Sequence, residues 1–406
     1  MWINKKQLPR KNLRKCMPVH IFRLNIMRCI AIIAALFLCT INVTALESNI
    51  DQYDVDSNYN EQLEASGADE LIDKLPDETQ GLLDSIGVDK IEPGQVLDMA
   101  PGEIFSSIFD ILKNRALAPL KSCGAIVGII IIYAIFDGLK LSIGERPLST
   151  TFGAASAICA GMVIMIPVLQ CFSEGLKTIE SCHIFMTAYV PAFVAIMIAA
   201  GQPISSSIYS VLLFAASQGV STIAHSLIMP LTTIFFAISM ICAIVPSIDL
   251  TGISSSISKI ATWTLSLSMT LYVGLLTIQG AVGSSADSLS LKTARYFAGS
   301  LVPVVGSAVG DAMASIFSSI SMVKTSVGAI GIISCCAIFI PILLELLCYK
   351  AAFAICSGIG DVFNAKHISS ILKAAGSAVG IMLAIIISYL MMIIISTAIM
   401  LMMKPA

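Results

Sequence analysis

The sequence predicts an all-α, polytopic membrane helix bundle of about seven to nine spans, preceded by a cleavable signal peptide and a short acidic extracytoplasmic segment. Three observations predict it. Hydrophobic residues make up 56% of the 406 and charged residues only 12%, at a mean hydropathy of +0.89, whereas about a quarter of a soluble domain is charged. The apolar residues come in runs near the roughly 20 needed to cross a bilayer core of about 30 Å. Charge is segregated, with 15 of the 26 acidic residues between Glu47 and Asp98 and 8 of the 24 basic ones in the first 28 residues. The net charge of -2 therefore marks two segments and excludes a nucleic-acid surface.

Residues 1–45 read as the signal peptide. Eight basic residues, from Lys5 to Arg28, precede the apolar run Cys29–Ile41, which is too short for an ordinary span. Val43-Thr44-Ala45 supplies the small residues for cleavage after Ala45; an uncleaved anchor extended through Leu46 is the alternative. The long basic region leaves Met17 or Met27 as other starts. Positive charge holds this end inside, so the next segment is exported.

Residues 46–116 form that exported segment, acidic and offset before Pro101 only by Lys74 and Lys90. Asp51–Asn60 reads as disordered. Ala68–Leu83 reads as a short helix on the spacing of Leu71, Ile72, Leu75, Leu82 and Leu83, with Pro76, Pro93 and Pro101 as punctuation. Its acidic run reads as a solvated face. Ile104–Leu120 mixes apolar residues with Asp110, Lys113 and Arg115, as an interfacial helix does.

Residues 117–406 form the membrane domain. The apolar runs are Leu117–Phe136, Thr151–Phe172, His183–Ala200, Ile204–Ile223, Leu227–Ile248, Ile257–Val282, Val327–Tyr349 and Ala375–Met403. Arg295–Lys324 and Ala351–Phe363 are too rich in Gly, Ala and Ser to assign. Lys140 and Arg146 suit a cytoplasmic loop. By the same count Lys292 and Arg295 fall outside, so that loop is unusual or one span is miscounted. Pro167, Pro191, Pro230, Pro303 and Pro341 interrupt runs, and each removes a backbone donor. Ser205–Ser207 and Ser254–Ser256 favour close helix contact.

Enzyme chemistry finds little support. Three of the 12 cysteines lie in the leader and the rest in or beside apolar runs without metal-type spacing, so they read as small buried hydrophobes. His20, His183, His225 and His367 are scattered. Gly358-Ile359-Gly360-Asp361 matches the GxGD pattern of intramembrane aspartyl proteases, whose chemistry needs a second aspartate in another apolar helix. Asp137, Asp249, Asp287 and Asp311 lack the expected Tyr-Asp context. No HExxH, GxSxG or phosphate-cradling loop is present. No cofactor or metal is expected, and a channel component or a transporter is the class that remains.

The stretch Thr293–Met313 stands apart. Gly299, Gly306 and Gly310 weaken helix, Pro303 lacks a donor, and Asp311 at bilayer depth costs roughly 2.5 to 3.5 kcal/mol. We expect a broken or re-entrant element bent at these residues, with Asp311 facing protein or water. It serves either as a packing face, on the Gly306-xxx-Gly310 spacing, or as a conduit lining.

Lys292-Thr293-Ala294-Arg295-Tyr296, Gly299, Val302–Gly306, Asp311-Ala312 and Lys324–Gly328 together resemble the most distinctive block of the stage III sporulation protein AE family. The order of leader, acidic exported segment, multi-span body and Met-rich end (Met391–Met403) is similar too, although the basic leader is longer here. The resemblance implies a non-enzymatic subunit of the membrane complex that connects mother cell to forespore in endospore formers. It implies partners among other membrane proteins of that complex, a lipid bilayer setting in the outer forespore membrane, and a role in late forespore development. The complex is similar in parts to specialised secretion machines. No family catalytic residue exists to carry over.

Overall fold

The computed structural model describes residues 59, 61–85, 87–88, 101–143, 146–244, 251–301 and 306–402. For 101–105, 139–143, 146–152, 243–244, 251, 253–255, 258, 291, 294–301 and 306–318 the backbone alone is described. The expected signal peptide lies outside the described residues. Within them every regular element is helical: α1 (Asp77–Ser85), α2 (Pro101–Ile143), α3 (Arg146–Ala199), α4 (Pro203–Ile223), a π turn (Ala224–Ile228), α5 (Met229–Ile244), α6 (Thr251–Leu301), α7 (Gly306–Val362) and α8 (Lys366–Met402).

The described residues between 59 and 88 fold by local turn chemistry. Residues 61–66 are helical and end at Gly67 (φ 66°), and α1 ends at Gly87 (φ 79°). At each end paired backbone bonds close the last turn, Ala68 N–H to Leu63 O and Val88 N–H to Leu83 O, as left-handed helix caps do. Part of the expected Ala68–Leu83 helix is instead a 3-10 turn, Asp69–Leu71, because Pro76 stops continuous helix before α1. Asp51–Asn60, expected to be disordered, lies outside the description apart from Tyr59, which is helical and 2% exposed. It joins Leu63, Leu71, Leu75, Leu83 and Val88 in the buried core.

Six helical stretches are long and apolar enough to cross a membrane: Ser106–Gly138, Gly153–Ala199, Pro203–Cys242, Lys259–Ser290, Ser319–Val362 and Lys366–Met402. The runs predict seven to nine, and the difference comes from fusion. Thr151–Phe172 and nearly all of His183–Ala200 lie in α3, 54 residues long, because Ser173–Cys182, though polar, has no proline and its one glycine, Gly175, stays helical. Ile204–Ile223 and the described part of Leu227–Ile248 join through the π turn. Pro230 follows that turn and leaves the carbonyl four residues earlier without its donor, which the local widening accommodates. Pro167 and Pro191 stay inside α3 and Pro341 inside α7. The expected interfacial helix and first span are one element, α2.

Two hairpins set the layout. The α3–α4 turn uses Gly201 (φ 77°), and the α7–α8 turn uses Asn364 (φ 56°); each closes with a pair of bonds, such as Gln202 N–H to Met197 O and Ala365 N–H to Gly360 O. In L-residues this left-handed backbone is routine only for Gly and tolerated by Asn. Helices α7 and α8 form the buried centre, and α2, α3, α4, α5 and α6 surround them. Of the serines expected to favour close helix contact, Ser205 and Ser206 are buried, Ser207 and Ser256 are exposed, and the side chains of Ser254 and Ser255 lie outside the described residues. Gly331 lies under the Tyr189 ring, where a Cβ would stand 2.2 Å from Cε2, and Gly328 lies under Leu401.

Candidate functional site

Halfway along the bundle a charged seam crosses it. Arg115 of α2 donates through Nη2 to Glu78 Oε1 of α1 at 2.5 Å and through Nη1 to Glu345 Oε2 of α7 at 3.1 Å. Glu174 of α3 approaches the same Nη1 at 3.9 Å, and Glu174 and Glu345 interact with one another. Glu345 is 9% exposed, Arg115 32% and Glu78 65%. A guanidinium presents five donors in a fixed plane, so it can meet several carboxylates at once. A pocket of about 220 Å³ opens here, lined among others by Glu78, Arg115, Glu174, Lys177, Ser181 and Pro341. The seam bolts α1 to the central helix α7.

Above the seam, hydroxyls run through the core. His183 Nδ1 lies 2.8 Å from Ser217 Oγ, which lies 2.6 Å from the Tyr389 hydroxyl. Tyr209 and Thr397 follow at 3.4 Å, and Tyr272 bonds Ser396. At the α3–α4 end, Asp287 of α6, 3% exposed, accepts from the backbone N–H groups of Ile204 and Ser205 at 3.0 and 2.9 Å. A carboxylate there satisfies orphan donors at the positive end of α4. Lys324 of α7 donates to Gln202 Oε1 at 2.8 Å. At the α7–α8 turn Asp361, the aspartate of the GxGD match, accepts from Ser369 Oγ at 2.5 Å and pairs with Lys373 at 2.8 Å. Its carboxylate thus joins two arms of a hairpin.

Among the described residues no cluster of three His, Cys, Asp or Glu could hold a metal. Of the nine cysteines described, Cys171, Cys182, Cys335 and Cys356 are buried and Cys159 is exposed, so the buried reading holds for only some. Pro303 of the Thr293–Met313 element lies outside the described residues. Gly299 is in the last turn of α6, while Gly306, Gly310 and Asp311 open α7, all by backbone alone. The described end of the block, Lys324–Gly328, ties α7 to the α3–α4 turn and to α8. Sequence reasoning missed the seam. One part of its signal was present, because an ionised residue inside an apolar run, as Glu345 is inside Val327–Tyr349, is costly unless paired.

The family model for stage III sporulation protein AE matches residues 87–404, more than three quarters of the chain. Stage III sporulation protein AE of Bacillus subtilis (strain 168) is 24% identical over 295 residues, covering 70% of this chain and 71% of that protein. No solved structure matches. A match that begins at Gly87, just after α1, and runs through α2 to α8 leaves one conclusion: the chain belongs to the stage III sporulation protein AE family.

Proposed function

We propose that the protein is a non-enzymatic, multi-span subunit of the secretion-like channel complex between mother cell and forespore, required for late forespore development. It sits in the mother-cell (outer forespore) membrane with residues 46–116 in the space between the two membranes. Family membership supports a sporulation role, and one structural observation favours a fixed scaffold over an alternating carrier. Three charged groups of the bundle are committed to partners, Arg115 to three carboxylates, Asp287 to the α4 terminus and Asp361 to Lys373. A carrier needs polar groups that can exchange partners at a midplane site.

Deletion of the gene should stop sporulation after engulfment and silence a late forespore reporter. The protein should co-purify in mild detergent with other multi-span members of the complex, as small-residue helix faces allow. Normal spores from the deletion strain, or substrate uptake by the purified chain alone in vesicles, would overturn the reading in favour of a stand-alone transporter.

A further inference from the structure

Two free cysteines meet across the α2–α7 interface. Cys123 Sγ of α2 stands 2.6 Å from Cys356 Sγ of α7, and Cys356 Sγ lies 3.8 Å from the Cys123 carbonyl oxygen. Non-bonded heavy atoms rest at about 3.5–4.0 Å, and a disulfide holds its sulfurs at about 2.0 Å. The two thiols therefore sit nearer to bonding distance than to ordinary contact.

The helices fix this placement from both sides. Toward the seam, Arg115 of α2 bonds Glu345 of α7; toward the α7–α8 turn, a Cβ on Gly360 of α7 would lie 3.7 Å from Ile130 Cδ1 of α2. Fifteen residues separate these outer contacts on each helix, about 22 Å of rise. Helices α2 and α7 thus run parallel through the interface, with the cysteines held between two anchored points.

Access distinguishes this pair from the other cysteines described. Cys182 and Cys335 also interact with one another, but both are fully buried, beyond the reach of an oxidant. Cys123 is half-buried, between exposed Lys121 and exposed Gly124, whereas Cys356 is buried. One sulfur can be reached from outside the helix pair, and the second lies behind it. Reversible thiol oxidation depends on that division, an accessible thiol with a resolving thiol beside it.

We propose that Cys123 and Cys356 form a redox-active pair that closes to an intramolecular disulfide between α2 and α7, with hydrogen peroxide as the oxidant. Cys123, as the thiolate, attacks one peroxide oxygen. The S–O bond forms, the O–O bond breaks, and the hydroxide released takes up the thiol proton as water. Cys356 then attacks the Cys123 sulfur. The S–S bond forms, the S–O bond breaks, and the departing hydroxide leaves with the Cys356 proton as a second water. Both sulfurs are oxidised and one peroxide is reduced to two waters. The bridge closes a loop across 233 positions and fixes α2, which carries Arg115, against the central helix α7. It rests on the fold alone, so its failure leaves the sporulation reading standing.

The test uses the full chain in membranes from sporulating cells. The membranes are exposed to hydrogen peroxide at the dose that oxidises the exposed thiol of Cys159. Remaining thiols are capped with a maleimide in denaturant, and the chain is digested and mapped without reductant. The expected product joins the Cys123 peptide to the Cys356 peptide and is two hydrogens lighter than the reduced pair; dithiothreitol separates them. Cys356→Ser should abolish the linked product and leave Cys123 as a sulfenic acid that dimedone labels, while Cys123→Ser should leave Cys356 as a thiol that the maleimide caps. Cys123 and Cys356 both capped as thiols in the unsubstituted chain would overturn the pairing. So would Cys123 bridged to another cysteine of the chain or to a different polypeptide.

Discussion

Arg115 meets carboxylates from three elements, so its loss is felt differently from the loss of any one partner. Arg115→Ala leaves Glu345, 9% exposed, as an unpaired charge, and removal of one partner from a buried pair costs about 3 kcal/mol. Glu78 is 65% exposed, and Glu78→Ala should cost less than about 1 kcal/mol. Thermal unfolding in detergent checks the order, and equal losses would mean that the seam is solvated throughout. Glycines offer a second residue-scale contrast. A Cβ at Gly331 meets the fully buried Tyr189 ring at 2.2 Å, whereas one at Gly175 meets the flexible end of Met382 at 2.1 Å. Gly331→Ala should destabilise by about 1–3 kcal/mol, as overpacking of a fixed core does, and Gly175→Ala by clearly less, on the same unfolding assay. The charge at Glu345 was legible in the sequence, but its partners were not. Arg115, Glu174 and Glu345 are brought together only by the packing of three helices, and a glycine under a ring looks like any other glycine in a run of small residues.

At the scale of elements, legibility followed the physics of the signal. Apolar runs were readable because burial of about 20 residues in lipid leaves no alternative composition. Their joins were not, because Ser173–Cys182 is polar enough to suggest a loop while containing neither proline nor a left-handed turn, and helix costs less than exit. The true turns carry the chemistry that the false ones lack, at Gly201 and Asn364. Gly201→Val should therefore cost about 1–2 kcal/mol for the left-handed backbone, while Asn364→Gly should be neutral or slightly stabilising; a neutral Gly201→Val would show that the α3–α4 turn can relax. The Thr293–Met313 element belongs here too. Gly299, Pro303, Gly306, Gly310 and Asp311 lie where α6 ends at Leu301 and α7 starts at Gly306. If the element packs against a partner, Gly306→Leu should abolish complex assembly and spores while Asp311→Asn stays mild. If it lines a conduit, Asp311→Asn should leave assembly intact and impair forespore development. Sporulation unaffected by both removes any special role.

For the whole molecule, the sequence's charge asymmetry proposes an orientation, and the helix layout fixes which ends must share a compartment. The proposed leader, with its basic residues, and the proposed export of the acidic segment orient the chain by its amino terminus. The layout adds a constraint that charge counting lacks, because the α2–α3 connection and the α7–α8 turn share an end, with Gly153 against His367. Those two places must face the same compartment whatever the number of spans. A tag within Lys140–Arg146 and a tag at Asn364 should therefore both be protected in intact cells, and a tag at Asp56 should be accessible. The carboxyl end of α8 lies at the opposite end of the bundle from Asn364, near Gly328 and the α3–α4 turn, so a tag after Ala406 should be accessible as well. Protection at Asp56 with access at Asn364 would invert the protein in the membrane. Opposite results at Lys140–Arg146 and Asn364 would break the bundle itself, since no rigid arrangement of α3 and α8 could then keep Gly153 beside His367.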